Sequence, residues 1–279
     1  MKYGVALPNW DALRIARFAR LAEETGWDGA FVGDAIWTLD PTISLAAAAL
    51  QTNRIRLGLM VVPMPLRRPW KVASETTALD ILSGGRLILG LGAGAVWMGW
   101  HAFPDEMTDT KTRAEMLDEA IDILTGLYQR KPFDFDGKHY HVRLTQLDEQ
   151  YYPPAPIQQP RIPLWIPGIW PRKKSMHRVL KCDGLLAQKM DPSGQFVNVS
   201  PADIREMKDY VSANRTLATP FDIIVEEQSL DWEPGRIQDK LGQWQEAGVT
   251  WWVEGLWGAN EAQVTARLEK GTPARAASL

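Results

Sequence analysis

The hydrophobic residues of this chain form short apolar runs that alternate with amphipathic segments along the whole sequence. Apolar runs of this kind, without regular polar interruption, are typical of parallel strands that are covered on both faces. The pattern predicts eight strands, over residues 3–8, 29–33, 55–62, 86–92, 163–167, 184–188, 221–227 and 249–254. Helical patterns lie between them.

The segments between the predicted strands carry helical spacing and helix-end residues. The first segment has apolar residues at i, i+3, i+4 and i+7, namely Ile15, Phe18, Ala19 and Ala22. Gly26 follows as the predicted C-cap, and Gly248 ends a later helix in the same way. Asp40-Pro41 predicts another helix start, with proline at the first helical position.

Alternation of strands and helices predicts a parallel sheet, and eight units in 279 residues predict that this sheet closes into a (β/α)8 barrel. An open, doubly wound sheet is the alternative. Residues 131–162 interrupt the alternation of strands and helices, because Asp136-Gly137 predicts a β-hairpin turn and a proline-rich connector follows. We interpret this segment as a small hairpin insertion between the fourth helix and the fifth strand. One barrel domain is expected over residues 1–270, followed by a C-terminal tail, 271–279.

Composition narrows the class of protein. At 279 residues and 45% hydrophobic, the chain can bury one large core. A net charge of −3 gives no indication of a nucleic-acid or membrane surface, so neither partner is expected. The N-terminal apolar run is too short for a signal peptide and Cys182 is the only cysteine, so a cytoplasmic location is predicted. The four histidines lack metal-ligand spacing, and no metal site is expected.

Candidate chemistry lies at the C-terminal ends of the predicted strands, where barrel enzymes place their catalytic groups. These ends are rich in glycine and aromatic residues and poor in nucleophiles. Such a set favours a large planar ligand that is held by backbone and rings and supplies the reactive chemistry as a cofactor. The first four strand ends, with the loop after the fourth, contain Asn9, Asp34, Met60, Val61, Gly92, Ala93, Gly94 and His101.

The glycines at the end of the fourth strand have other interpretations. Gly90, Gly92 and Ala95 fit the dinucleotide-binding pattern G-x-G-x-x-A. That pattern needs a helix at once and an acidic residue after a second strand, whereas two tryptophans and a proline follow here. A purely structural glycine turn is the other alternative to contact with a cofactor.

Two pairs of adjacent residues in the last two strands should point to opposite faces of the sheet. In the pair Glu226 and Glu227, one carboxylate can enter the barrel mouth, and a solvated or salt-bridged pair is the alternative. In the pair Trp251 and Trp252, one ring is expected in the barrel interior and the other under a helix.

The ordered series of motifs resembles the bacterial-luciferase-like flavin-dependent oxidoreductases. The matching segments are residues 21–34, 52–58, 83–94, 113–120, 137–140 and 163–168. Together they cover about residues 1–185, and the match beyond that point rests on residues 246–252. The resemblance implies a (β/α)8 barrel that binds FMN or the deazaflavin coenzyme F-420 (F420). It also implies a homodimer, since members of the family tend to dimerise.

The resemblance implies roles for residues near the ring of the cofactor. Met60-Val61 matches a step, often a non-prolyl cis peptide, that backs the isoalloxazine. Asp34 matches an acidic position that faces the pocket. Residues 92–94 match a loop that approaches the cofactor.

The anion site implied by the resemblance follows the fifth strand. Gly168 and Ile169 match the start of a loop-to-helix turn that binds the cofactor phosphate, where N–H groups and the helix dipole favour an anion. Trp170 and Arg172 follow directly, and two lysines extend the basic run. Three consecutive cations suit a phosphate or a longer anionic tail.

One departure from the family bears on the cofactor. Many deazaflavin-using members have histidine after the acidic residue of the second strand, and this chain has Ala35. We therefore predict a monooxygenase that uses reduced FMN and O2 on a small organic substrate. The alternatives are an F420-dependent hydride-transfer reductase or dehydrogenase, a non-catalytic flavin-binding relative, and a lyase or aldolase that uses Lys189 as a Schiff base.

Overall fold

The computed structural model describes residues 1–276, and eleven strands lie in this part of the chain. They are β1 (Lys2–Leu7), β2 (Gly29–Val32), β3 (Arg56–Pro63), β4 (Leu87–Gly92), β5 (Asp134–Asp136), β6 (His141–Arg143), β7 (Leu164–Trp170), β8 (Gly184–Met190), β9 (Phe196–Val197), β10 (Asp222–Glu227) and β11 (Trp251–Gly255).

The α-helices of residues 1–276 fall between and after these strands. They are α1 (Ala12–Glu24), α2 (Pro41–Gln51), α3 (Pro69–Leu82), α4 (Thr110–Tyr128), α5 (Lys173–Val179), α6 (Pro201–Asn214), α7 (Pro234–Ala247), α8 (Glu261–Glu269) and α9 (Pro273–Ala276). No helix in this range has the length and apolar character that crossing a membrane requires.

Eight parallel strands form one closed sheet. Their order is β10-β11-β1-β2-β3-β4-β7-β8, and β8 pairs with β10 to complete the ring. The predicted (β/α)8 barrel is therefore confirmed, and the open doubly wound alternative is wrong. The short strand β9 adds to β8 in the antiparallel direction, while β5 and β6 form a separate hairpin between α4 and β7.

The fifth barrel strand is longer than predicted. We expected it to end at Pro167-Gly168, but β7 continues to Trp170. Its pairing with β4 covers only Leu164 and Trp165, whereas pairing with β8 continues along the whole strand. Pro167 can therefore lie within β7. On the side of β4 no strand is paired at this position, so the N–H that proline lacks is not needed there.

Side chains fill the lower part of the barrel. Phe31 and Trp165 stack with ring centroids 5.3 Å apart, and Trp251 meets both rings edge-on at 5.8 and 5.3 Å. Gly58 leaves room for Phe31, because a Cβ built there would collide with the phenyl ring. This aromatic plug, consisting of Phe31, Trp165 and Trp251, closes the interior below the C-terminal mouth.

A second hydrophobic layer lies between the sheet and the helices, and Trp252 belongs to it. Trp251 and Trp252 thus occupy opposite faces of β11, as predicted. Cys182 is fully buried in the same outer layer, and burial raises the pKa of its thiol to about 12.

Glu23 connects α1 to the start of β3. Its carboxylate accepts hydrogen bonds from the backbone N–H groups of Asn53, Arg54 and Ile55, at 3.0, 2.6 and 2.8 Å. Partial burial raises the pKa of Glu23, but these three hydrogen bonds outweigh it, and the net shift is downward. The carboxylate therefore fixes the entry to the strand that carries Met60 and Val61.

The C-terminal segment contains a short helix, α9, within the predicted tail of residues 271–279. The last three residues of that tail, 277–279, lie outside the described residues. The division into a single domain over residues 1–270 stays a prediction.

We expect Phe31→Ala to reduce the free energy of unfolding by about 3–5 kcal/mol, because it empties the centre of the aromatic plug. Urea denaturation measures this loss. Phe196→Ala is the control, since Phe196 is 62% exposed and should change stability little. A loss no larger in the Phe31 variant than in the control would contradict the role of the plug.

Glu23→Gln should destabilise the protein by about 1–2 kcal/mol at neutral pH, since it removes charge-assisted hydrogen bonds. A carboxyl whose folded pKa is lowered stabilises the fold above its unfolded pKa, and this contribution is lost as pH falls through the folded pKa. The difference between wild type and variant should therefore shrink on acidification. Thermal denaturation against pH tests this, with the exposed neighbour Glu24→Gln as the control.

Candidate functional site

The C-terminal mouth of the barrel receives one carboxyl from β10. Ile224 belongs to the interior cluster and Val225 to the outer layer, so the strand alternation directs Glu226 inward. Its Oε1 accepts a hydrogen bond of 2.6 Å from the indole Nε1 of Trp257. Glu227 points outward, where its Oε1 accepts from Trp244 Nε1 at 3.0 Å. The two carboxylates thus occupy opposite faces of β10, as predicted.

An irregular step in β3 forms another part of the mouth. The register between β3 and β4 shifts between Leu59 and Val62, and the Met60–Val61 peptide bond within this bulge is cis. The resemblance had implied such a bond at this step. Met60 is buried in the interior cluster, while Val61 packs against that cluster and remains partly exposed.

The glycines of β4 fit against this bulge. A Cβ on Gly90 would collide with the carbonyl oxygen of Leu59, and one on Gly92 would lie 2.6 Å from Val61 Cγ2. The close packing of β4 against β3 thus explains why glycine occupies these two positions. Contact of Gly92 with a cofactor stays a prediction.

The loop after β4 is fixed by a residue that was not among the candidates. Arg113 Nη1 donates to the backbone carbonyls of Ala93 and Gly94, at 2.7 Å each. The guanidinium is nearly buried and lies 5.5 Å from the centre of the Trp100 ring. Arg113 occurs in a segment that carries the family resemblance, and this was the only signal for it in the sequence.

Asp34 is held by a cation in the loop after β2. Its Oδ2 accepts from Arg67 Nε at 2.9 Å, and the same guanidinium contacts Asp40 at 3.2 Å. The Asp34 side chain is only 5% exposed. Burial raises the pKa of Asp34, and the adjacent Arg67 opposes that shift without cancelling it. The carboxyl is therefore a buried, paired group at the rim.

Two other candidates lie on the surface. Asn9 follows β1 and is exposed, and His101 is exposed in a short turn after β4. The structure does not bring the His101 ring into contact with Asp34. Exposed aromatic rings occur in the loops after β2 and β4, with Trp37 at 84% and Trp97 at 83%. They give the rim an apolar upper surface.

The predicted phosphate turn is displaced. Gly168 and Ile169 lie inside β7, so the turn into α5 begins at Pro171 instead. A Cβ on Gly168 would meet Leu185 and Val179, which shows that this glycine faces the helices. The N–H of Ile169 already donates to Ser175 Oγ at 2.9 Å.

The basic run next to this turn is open to solvent. Arg172 and the two lysines that follow it are exposed, and none of them forms an ion pair within residues 1–276. Trp170 instead points toward α6, where its Nε1 donates to Glu206 at 3.0 Å. Arg172 can therefore still serve as an anchor for an anion, whereas Trp170 is engaged elsewhere.

A cavity of about 400 Å³ extends from the mouth toward α7, past the ends of β8 and β10. Gln188 and Glu226 line its inner side, and Glu227, Arg236 and Lys240 line its outer side. Lys189 also lies there, and its Nζ contacts Asp203 Oδ1 at 2.7 Å. This ion pair on the outer face gives the Schiff-base alternative no support.

Comparison with known proteins gives the chain a family. A profile described as luciferase-like monooxygenase matches residues 6–209. A putative coenzyme F420-dependent oxidoreductase of Mycobacterium tuberculosis is 37% identical over 153 residues, which is 52% of this chain and 42% of that protein. Another relative, 4-hydroxyprotoasukamycin monooxygenase of Streptomyces nodosus subsp. asukaensis, is 38% identical over 125 residues, 43% of this chain and 34% of that protein.

The matched regions thus span less than half the length of these two relatives. Among solved structures, an F420-dependent secondary alcohol dehydrogenase in complex with an F420-acetone adduct is similar with a TM-score of 0.73. The identity is 14%, and the match covers 96% of this chain and 97% of that chain, so it supports the fold alone. Since the profile match extends over most of the barrel, this chain belongs to the luciferase-like monooxygenase family.

Proposed function

We propose that this protein is an oxidoreductase that works with a flavin-type cofactor bound at the C-terminal mouth of its barrel. The observation that carries the proposal is the bulge of β3, whose Met60–Val61 step lies at the C-terminal mouth, with Val61 partly exposed and packed on the cluster that contains the aromatic plug. A flat tricyclic ring would rest on this step, as the family resemblance implies, and would supply the reactive chemistry that the side chains of the mouth lack.

The residues present are compatible with such a ring. Gly33 and Gly255 lie at the mouth, and a Cβ on Gly33 would come within 3.3 Å of Trp257 and 3.8 Å of the Met60 carbonyl oxygen. A side chain at this position would therefore fill the space that the ring needs. Within residues 1–276 no group of three His, Cys, Asp or Glu side chains is placed to hold a metal ion.

When bound, FMN supplies two-electron redox chemistry and reaction with O2, whereas F420 supplies hydride transfer. The chain's own contribution is to bind, orient and shield. The Met60–Val61 step would support one face of the ring, and the carbonyls of Ala93 and Gly94 would be kept out of the way by Arg113. The Asp34–Arg67 pair would hold the rim in shape, with Asp34 remaining a candidate for contact with the cofactor or substrate.

FMN is the first candidate because Ala35 stands where many deazaflavin-using members have histidine. F420 is the second candidate, and it is favoured by the 37% identity to the mycobacterial relative and by the basic run that begins at Arg172, which suits a long anionic tail. We place the anchor for that tail at Arg172, Lys173 and Lys174, with Gly168 and Ile169 as the adjoining strand end. A cytoplasmic homodimer that acts on a small organic molecule completes the proposal.

We expect the purified protein to bind one of the two cofactors reversibly, with no covalent link. Titration with FMN and with F420, followed by cofactor fluorescence and visible absorbance, measures both affinities side by side. Oxygen consumption with reduced FMN, or turnover of reduced F420, then separates an enzyme from a non-catalytic flavin-binding relative. If neither cofactor binds, the proposed function is wrong.

The triple variant Arg172→Ala, Lys173→Ala, Lys174→Ala should bind FMN roughly tenfold more weakly, because three exposed charge contacts of modest strength are lost. Affinity for riboflavin, which has the same ring but lacks the phosphate, should change little. Lys131→Ala, at an exposed lysine after α4, is the control for a general loss of positive charge. Equal losses for FMN and riboflavin would place the anion site elsewhere.

A further inference from the structure

Glu226 has a position that no other strand carboxyl of residues 1–276 shares, since it points into the barrel mouth. Its neighbour Glu227 accepts an indole hydrogen bond of similar length but on the outer face. Glu254 of β11 is also directed outward, where it is fully buried against Arg267. The family resemblance assigned no role to Glu226, and the redox proposal above does not use it.

Trp257 extends the contact of Glu226 across the mouth. Its indole donates to Glu226 on β10 and also lies over Gly33, which follows β2. In the sheet, β11 and β1 separate these two strands, so the ring crosses the width of two strands. Trp257 and Val61 both pack against the interior cluster that contains the aromatic plug.

The β3 bulge and the Glu226–Trp257 pair therefore both lie above the aromatic plug. The Met60 carbonyl and the Trp257 ring both lie within 4 Å of the place that a Cβ on Gly33 would take. A flat ring that rests on the Met60–Val61 step above this plug comes next to Trp257 and the Glu226 carboxyl. We propose that Glu226 and Trp257 form the second wall of the cofactor site, and that binding of the ring is coupled to proton uptake by Glu226.

This inference rests on the proposed function, and electrostatics supports the coupling. Glu226 is still reached by solvent, but the atoms packed around its carboxyl partly desolvate it and raise its pKa, and the hydrogen bond from Trp257 lowers that pKa in part. A ring placed over the carboxyl removes water that remains there, which disfavours the charged form further. The complex should therefore hold the proton to higher pH than the cofactor-free protein, and affinity should fall as pH rises between the two pKa values.

The charged groups near Glu226 do not offset the rise in the pKa of its carboxyl. Gln188 of β8, on the same side, is neutral. From α7, Arg236 and Lys240 line the far side of the cavity and lie near Glu227 instead. The remaining neighbours with charge, Lys189 of β8 and Glu254 of β11, are paired with Asp203 and Arg267 on the outer face.

The test is the dissociation constant of FMN and of F420 between about pH 5 and pH 8, measured by fluorescence for wild type and Glu226→Gln. Protonation of the cofactor itself affects both proteins equally. The ratio of their dissociation constants therefore reports only the titration of Glu226. We expect this ratio to change by about tenfold across the range, with the wild type losing affinity as pH rises. Circular dichroism verifies that each variant is folded.

Two further variants make the result specific. Glu227→Gln removes the outward carboxyl of the matched pair, and it should keep the wild-type pH dependence. Trp257→Phe keeps an aromatic ring but removes the indole N–H donor, so the pKa of Glu226 should rise and the fall in affinity should move to higher pH.

A constant ratio between wild type and Glu226→Gln at every pH would overturn the inference while leaving the proposed function in place, provided that a cofactor binds. The same holds if Glu227→Gln abolishes the pH dependence as fully as Glu226→Gln does. Failure of the wild type to bind either cofactor at any pH would overturn both proposals.

Discussion

The packing of three aromatic rings inside the barrel is the constraint on which the rest of the structure depends. Phe31, Trp165 and Trp251 fill the lower interior, and glycines on the facing strands give them room. Because the three rings are buried in the barrel interior, we expect a ligand to reach the barrel axis from the C-terminal end. The plug therefore provides both the core of the fold and the floor of the proposed site.

Several loops around this core are fixed by single side chains that bind backbone groups. Glu23 accepts from three consecutive N–H groups before β3, and Glu119 does the same for the hairpin turn at residues 138–140. Arg86 donates to the carbonyls of Ala49 and Thr52 at the end of α2. Arg113 fixes the loop after β4 in the same manner. Each of these residues lies in one of the segments that carry the family resemblance and binds the backbone of another such segment.

The sequence was sufficient to predict the barrel and most of its strands, because parallel strands that are covered on both faces consist of continuous apolar runs. The placement of Glu226 and Glu227 on opposite faces followed from the two-residue period of a strand, whereas which of them points inward required the structure. The length of β7 did not follow, since Pro167 resembles a strand end unless the missing pairing with β4 is known. The contacts of Arg113 and the position of Trp257 over Gly33 join residues far apart in sequence, and no local pattern reports them.

The alternation along β10 restricts how this strand can change. Two successive carboxyls occupy opposite faces, each with its own tryptophan donor. Removal or addition of one residue within the strand would exchange their faces, and each acid would then meet the other's surroundings. Changes in length are therefore expected to accumulate in the segment between β10 and α7, while β10 itself changes only by substitution. In an alignment of relatives, this restriction would appear as gaps between β10 and α7 and none within β10.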